Sequence, residues 1–159
     1  MSEFSTVMTE SRVFPPSAEF SAKAHLRSLD EYQQLVDAAK NDPDGFWSAR
    51  AKEELHWHAP FHTVLEWKDN HAKWFVGGKT NLSFNALDRQ LATRGDVVAL
   101  RFEGEPGDQR SYTYKQLHAE VCKLANGLKQ LGVKPGDVVG IYLPMVAEAV
   151  IAMLACARI

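Results

Sequence analysis

A disulfide framework is the first architecture this sequence lacks the means to build. It carries two cysteines in 159 residues, Cys122 and Cys156. Both sit inside apolar helical patterns, which marks them as small buried hydrophobes in a reducing compartment. A surplus of basic residues is missing as well: 18 Lys and Arg stand against 20 Asp and Glu, for a net charge of −2. That balance excludes the electrostatic footprint of a protein that binds nucleic acid or an anionic membrane. The first stretch, "MSEFSTVMTESRVFPP", has no basic region followed by a long apolar run. It carries Glu3 and Glu10 beside a single arginine, Arg12. A secretory signal and an Arg-rich transit peptide are therefore both unexpected, and the reading is cytoplasmic. Internal repeats and low-complexity tracts are absent too.

What is present has ordinary globular proportions, 45% hydrophobic and 24% charged, in a length that suits one domain with a real core. "SLDEYQQLVDAAK" opens with Ser28 three residues before Glu31, a capping box, and Leu29, Tyr32, Leu35, Val36 and Ala39 make one helical face. "NDPDG", Asn41 to Gly45, breaks it before a second helical piece, "FWSARAKEELHW". From Trp47 to Trp74 no strict period holds. Trp47, Trp57, Trp67 and Trp74 predict an irregular strap pinned by its aromatics. "TNLSFNALDRQLATRG" predicts a helix capped by Asn81 and stopped at Gly95. "DVVALRFE", Asp96 to Glu103, and "RSYTY" predict two short strands around a Gly/Pro turn. In "TYKQLHAEVCKLANGLKQLGV", Thr113 and Gln116 form a capping box. Leu117, Val121, Leu124, Leu128 and Leu131 line one face, and Gly132 closes the helix. "KPGD" turns the chain into "VVGIYLP", Val138 to Pro144, an apolar run without alternation that predicts a strand covered on both faces. A last helix begins near Val146. The order strand, helix, strand, helix predicts an α/β fold with parallel pairing.

Four features invite a chemical reading. Gly78-Lys79-Thr80 copies the end of a phosphate-binding loop, but the glycine needed five residues before Gly78 is Lys73, so a Gly-Gly turn before a capped helix is the better account. His56, His58, His62 and His71 supply imidazoles, yet no cysteine lies nearby and no HExxH spacing exists; the interleaved Trp57, Pro60 and Phe61 point to packing instead of zinc. Asp88, beside Arg89, and Asp96 and Asp137 are accounted for by helix, turn and cap duty. The run from Val138 to Ala157 holds one charge, Glu148, and is long enough to span a bilayer. Pro144 and that central charge, costing roughly 2.5–3.5 kcal/mol on insertion scales, argue for a strand and a core helix instead. On these grounds no residue is assigned as catalytic, as cofactor-binding or as a metal ligand.

The stretches "VFPPSAEFSAKAH", "FWSARAKEELHW", "PFHTVLEW", "KWFVGGKTNLSFNALDRQL", "RSYTYKQLHAEVCKLANGL" and "GVKPGDVVGIYLPMVAEAVIAMLACARI" carry a resemblance. From about Val13 to Ile159 the chain resembles the N-terminal part of the AMP-forming acetyl-CoA synthetases, of the adenylate-forming superfamily. The last two stretches are similar to the wider superfamily; the Trp-rich strap and "WFVGGKTN" are similar to the acetate and propionate branch. One departure is Ala86-Leu87-Asp88-Arg89-Gln90, where the family often has Cys-Leu-Asp-Arg-His. The resemblance implies an α/β fold with a Trp-rich N-terminal strap followed by the first strand-helix units of the large domain. It implies a division into a tail (1–27), an acetyl-CoA-synthetase-type N-terminal region (28–95) and the start of an AMP-binding domain (96–159). It implies a ligase that joins acetate to CoA through an acetyl-adenylate, using ATP, CoA and Mg²⁺ in the full-length enzyme, with small molecules as its partners and neither nucleic acid nor membrane. The family's phosphate loop, acyl pocket and catalytic lysine have no counterpart in these residues, so the chain alone is expected to be inactive and to bind none of these ligands. A propionate ligase, or a stand-alone α/β module using its apolar last helix as an interface, are the alternatives. Residues 138–159 carry about a dozen large apolar side chains. Leaving half of them uncovered, at roughly 1.5–3 kcal/mol each, rivals the ~5–15 kcal/mol stability of a whole domain. The chain alone is therefore expected to fold poorly.

Overall fold

A computed structural model describes residues 12–159; the readings at Glu3 and Glu10 lie outside them. The chain divides into two compact units, one ending at Trp47 and one running from Ser48 to Ile159. The first unit holds α1 (Ala18–Lys23), α2 (Leu29–Asn41) and the start of α3 (Pro43–Glu54). Ser17 caps α1, a helix inside the stretch read as tail. At α2 the capping box forms only in part: the Ser28 hydroxyl accepts from the Glu31 N–H, but the Glu31 carboxylate takes the Arg27 N–H instead of the Ser28 N–H. The "NDPDG" break narrows to one residue. Asp42 accepts the Gly45 N–H at 3.0 Å and Pro43 occupies the first helical position, so one helix ends where the next is capped.

In the second unit the end of α3 and residues 55–62, which hold no helix or strand, lead into a hairpin where the irregular strap was expected to continue. Strands β1 (Thr63–Lys68) and β2 (His71–Val76) pair antiparallel, with Leu65 opposite Trp74 and Glu66 opposite Lys73. Asp69 and Asn70 both take positive φ, 50° and 60°. Short side chains that bond their own backbone tolerate that region, and two such residues form the turn whose twist matches a hairpin. Trp57, Phe61 and Phe75 stack at ring-centroid distances of 5.0–5.5 Å beside it. Trp67, however, projects to solvent, 67% exposed, and pins nothing.

The helix read over 81–95 is interrupted. It becomes α4 (Leu82–Ala86), a 3₁₀ turn (Asp88–Gln90) and α5 (Leu91–Arg94), with the break at buried Leu87. Gly95 keeps a right-handed backbone; a Cβ there would meet the Leu91 carbonyl and the Lys115 side chain at 2.7 Å, so close approach, not a left-handed stop, selects glycine. β3 (Val98–Glu103) and β4 (Gln109–Thr113) form a second antiparallel pair. α6 (Tyr114–Gln130) carries the full capping box between Thr113 and Gln116. It ends with Gly132 at φ 94°, where the Val133 and Gly132 N–H groups return to the Leu128 and Lys129 carbonyls. Its buried line is Leu117, Val121 and Ala125, with Leu128 packed beside them; Leu124 and Leu131 turn outward. α7 (Ala147–Arg158) lays Ile151 and Ala155 against that line, and together with Leu87 these residues make the core.

Residues 138–144 depart from expectation. "KPGD" turns as predicted, with Gly136 at φ 93° and the Asp137 carboxylate accepting the Lys134 N–H. The segment after it belongs to no strand, and the described residues contain only antiparallel pairs. Val138 and Tyr142 are 98% and 104% exposed. An apolar run becomes a strand only where a neighbouring ladder meets its N–H and C=O groups, and the described residues offer it none. The α/β class stands; the parallel pairing does not.

Candidate functional site

The polar side chains gather around the two ends of α7. Its first turn holds Glu148, whose carboxylate accepts both guanidinium N–H groups of Arg110 from β4, at 2.6 and 3.1 Å. A negative charge there also suits the positive end of the helix, which has no side-chain cap at Val146. Arg110 holds the Glu148 carboxyl below its usual range. The last turn holds Arg158, whose guanidinium forks onto Asp88 at 2.6 and 2.8 Å. The two charges in the closing helix thus each have a bidentate partner, which accounts for both.

Asp88 is 18% exposed and accepts a further bond, from His118 Nε2 at 3.1 Å. An ionised carboxylate only accepts, so His118 carries its hydrogen on Nε2. The bonds from Arg158 hold the Asp88 carboxyl below its ordinary value, against the opposing effect of burial. This replaces the helix-and-turn account of Asp88 with a three-element ion cluster. Asp137 keeps its turn duty, whereas Asp96 pairs with Lys115 at 3.0 Å on the surface. Cys122 Sγ lies 3.6 Å from His118 Nε2, the nitrogen already given to Asp88, and 3.9 Å from Nδ1. A nucleophile, base and orienting acid need the two different ring nitrogens of the histidine. Here the thiol lies nearer the nitrogen that bonds Asp88, and the bonds of Asp88 to Arg158 and His118 join the 3₁₀ turn to α6 and α7.

The glycines, the Lys79 backbone and the Thr80 hydroxyl of the Gly-Lys-Thr stretch have structural duties. Gly77 takes φ 82°, and a Cβ on Gly78 would stand 2.5 Å from the Trp57 ring. Lys79 lies in a backbone bridge with Ala59. The Thr80 hydroxyl donates to the His56 carbonyl, and Asn85 accepts the His56 N–H at 2.7 Å. Asn81 caps α4 through the Phe84 N–H and donates its Nδ2 hydrogen to the Ala157 carbonyl of α7 at 2.7 Å. The histidines divide: His56 and His58 stay together, ring centroids 5.0 Å apart, and His62 and His71 take other partners. His56 and His58 pack on Phe84, His62 bonds Thr63, and His71 bonds the Asp69 carbonyl. No three His, Cys, Asp or Glu side chains among the described residues converge as a metal would need. Arg89 donates to the Glu53 and Glu54 carbonyls and so caps α3. Sequence reasoning missed the Asp88–Arg158 pair because its partners lie 70 positions apart; an ion pair leaves no periodic trace.

Two family models match adjoining stretches of the chain: "Acetyl-coenzyme A synthetase N-terminus" over residues 32–86 and "AMP-binding enzyme" over residues 87–159. The acetyl-coenzyme A synthetase of Rhodopirellula baltica is 52% identical over 160 residues, covering 96% of this chain and 24% of that protein. That of Thiobacillus denitrificans is 49% identical over 160 residues, covering 100% and 24%. Among solved structures, acetoacetyl-CoA synthetase from Streptomyces lividans superposes with a TM-score of 0.73 at 33% identity, over 87% of this chain and 22% of its own. The chain spans about a quarter of the length of the curated relatives it matches.

Proposed function

This chain belongs to the acetyl-coenzyme A synthetase family of AMP-binding enzymes and corresponds to its N-terminal part, and from that premise we propose that the protein it is part of is an acetate–CoA ligase. In this reading an acetate oxygen attacks the α-phosphorus of ATP and expels pyrophosphate. The CoA thiol then attacks the carbonyl of the acetyl-adenylate, loses its proton and expels AMP. The observation that carries the reading is the pair of adjoining family matches, which together cover 32–159 without a gap. A stand-alone interaction module is not favoured, because the Thiobacillus denitrificans synthetase aligns with the whole of this chain as one part of itself.

The described residues supply scaffold to this chemistry. Asp88, Arg158 and Glu148 are committed to ion pairs and Thr80 and Asn81 to backbone carbonyls. We assign none of them to ATP, CoA or acetate. Mg²⁺ would supply charge neutralisation to adenylation, but no acidic cluster among the described residues fits it. We propose that the chain divides into a tail (1–27), an N-terminal region (28–95) and the start of an AMP-binding domain (96–159), and that the protein is cytoplasmic. No helix among the described residues is long and apolar enough to cross a membrane.

The direct test is acetate-dependent exchange of pyrophosphate into ATP by the full-length protein. Exchange that requires acetate supports the reading, whereas its absence, or a clear preference for propionate, defeats it. The 159-residue chain alone is expected to show no exchange.

A further inference from the structure

The last turn of α7 is held from outside by two residues at the ends of one short segment. Asn81, in front of α4, gives its Nδ2 hydrogen to the Ala157 carbonyl at 2.7 Å. Asp88, in the 3₁₀ turn after α4, takes both N–H groups of Arg158. The bond from Asn81 ties an α7 carbonyl to a side chain 76 positions earlier. Between the two grips, Ser83 and Leu87 from the segment and Ala155 from α7 are 0–1% exposed. The rest of α7 is secured separately, by Ile151 and Ala147 in apolar contacts and by Glu148 on Arg110.

The two grips come from different parts of the family. Asn81 lies in the stretch matched by the acetyl-coenzyme A synthetase N-terminus, whereas Asp88 and α7 lie in the AMP-binding match. Asn81 also has two jobs on two atoms: Oδ1 caps α4 and Nδ2 holds α7. We propose that Asn81 and Asp88 are positioning residues, a clasp with one grip from the N-terminal region and one from the AMP-binding region that sets the direction of α7 in the ligase. As a role in catalysis this rests on the ligase reading above. Its physical basis is that a small misplacement of an element far from the reacting atoms alters their alignment without altering which groups bind substrate.

Asn81→Asp separates the two jobs. Aspartate caps a helix as well as asparagine, so α4 keeps its cap while the donor to Ala157 is lost. Asp88→Asn removes the charge facing Arg158, and Asp88→Glu restores it. In the full-length enzyme, N81D and D88N are expected to speed amide hydrogen exchange in residues 155–159 by about tenfold and to lower kcat by about tenfold, with KM for ATP and acetate within about twofold. Amides of α6 around Val121 stay as protected as in the parent, and D88E recovers most of the kcat. Faster exchange with unchanged kcat, or a kcat loss that tracks a fall in α6 protection, overturns the positioning role. Unchanged exchange at 155–159 overturns the clasp itself. If the parent enzyme shows no acetate-dependent activity, the ligase reading and the catalytic role fall together, and the exchange measurement still decides whether the clasp exists.

Discussion

Residues 63–76 and 138–144 sit in the same compact unit and treat their backbones in opposite ways. Across 63–76 each strand meets the other through a two-residue turn, so the ladder is satisfied within fourteen positions of chain. One face of that hairpin carries Leu65, Trp67, Ala72 and Trp74; the other carries Glu66, Lys68, His71 and Lys73. Residues 138–144 are more apolar, yet they join no strand, and Val138, Tyr142 and the adjoining Met145 stand in solvent at 94–104% exposure. Strand formation here follows the availability of a partner ladder, not side-chain hydrophobicity. A turn brings the partner to the first segment, and the second needs one from farther away.

The largest expected effect tests that contrast directly. The isolated 159-residue chain should melt without a single cooperative transition and should bind a dye for exposed apolar surface. In the full-length protein the amides of 138–143 should be protected from hydrogen exchange. Protection of those amides in the isolated chain would erase the difference between the two segments. Next in size is Leu87→Ala. Leu87 is 1% exposed in the core, and the loss is expected to be about 2–5 kcal/mol by denaturant titration of the full-length protein. A loss under about 1 kcal/mol would place the centre of packing elsewhere.

Asn70→Val probes the local partner of the hairpin. A β-branched residue forced to φ 60° should cost about 1–2 kcal/mol, whereas Asn70→Gly should be neutral or stabilising. Equal stability of the Val and Gly variants would show that the turn does not set the register. Ser83 gives a smaller effect of opposite sign. Its buried hydroxyl has no hydrogen-bond partner, so Ser83→Ala should be neutral or stabilise by up to about 1 kcal/mol. Ser83→Leu should destabilise by overpacking, by about 1–3 kcal/mol. The smallest effect is pH-dependent. Arg158 holds the Asp88 carboxyl below 3.8 when folded. Its contribution to stability is therefore complete above the ordinary carboxylate range and is lost as pH falls through the folded value. The stability gap between the parent and Asp88→Asn should narrow below about pH 4, read from unfolding midpoints at a series of pH values. A gap that widens on acidification would reverse the assigned sign.

Much of the local architecture was legible in the residues, because its causes are short-range. The capping box at Thr113 and Gln116, the glycine stop at Gly132, the Asn81 cap and the turn at Gly136 each depend on residues within a few positions of one another. The hairpin was missed although its signal was there: Asp69-Asn70 between Thr63–Lys68 and His71–Val76 is a pair of residues that tolerate positive φ. The break at Leu87 was not legible, since a continuous helical pattern runs through it. What interrupts the helix is the burial of Leu87 beneath α6 and α7.

By itself, then, the sequence determined the helix ends, the tight turns, the α/β class and, through its quoted motifs, the family. Those are set by φ preferences, local side-chain bonds and residue identity, all carried by neighbouring positions. Only the tertiary structure decided the jobs of Asp88, Arg158 and the second amide atom of Asn81, and the fate of 138–144. Each of these depends on a group brought from a distant part of the chain. A carboxylate or a strand has no fixed role until the fold chooses its partner.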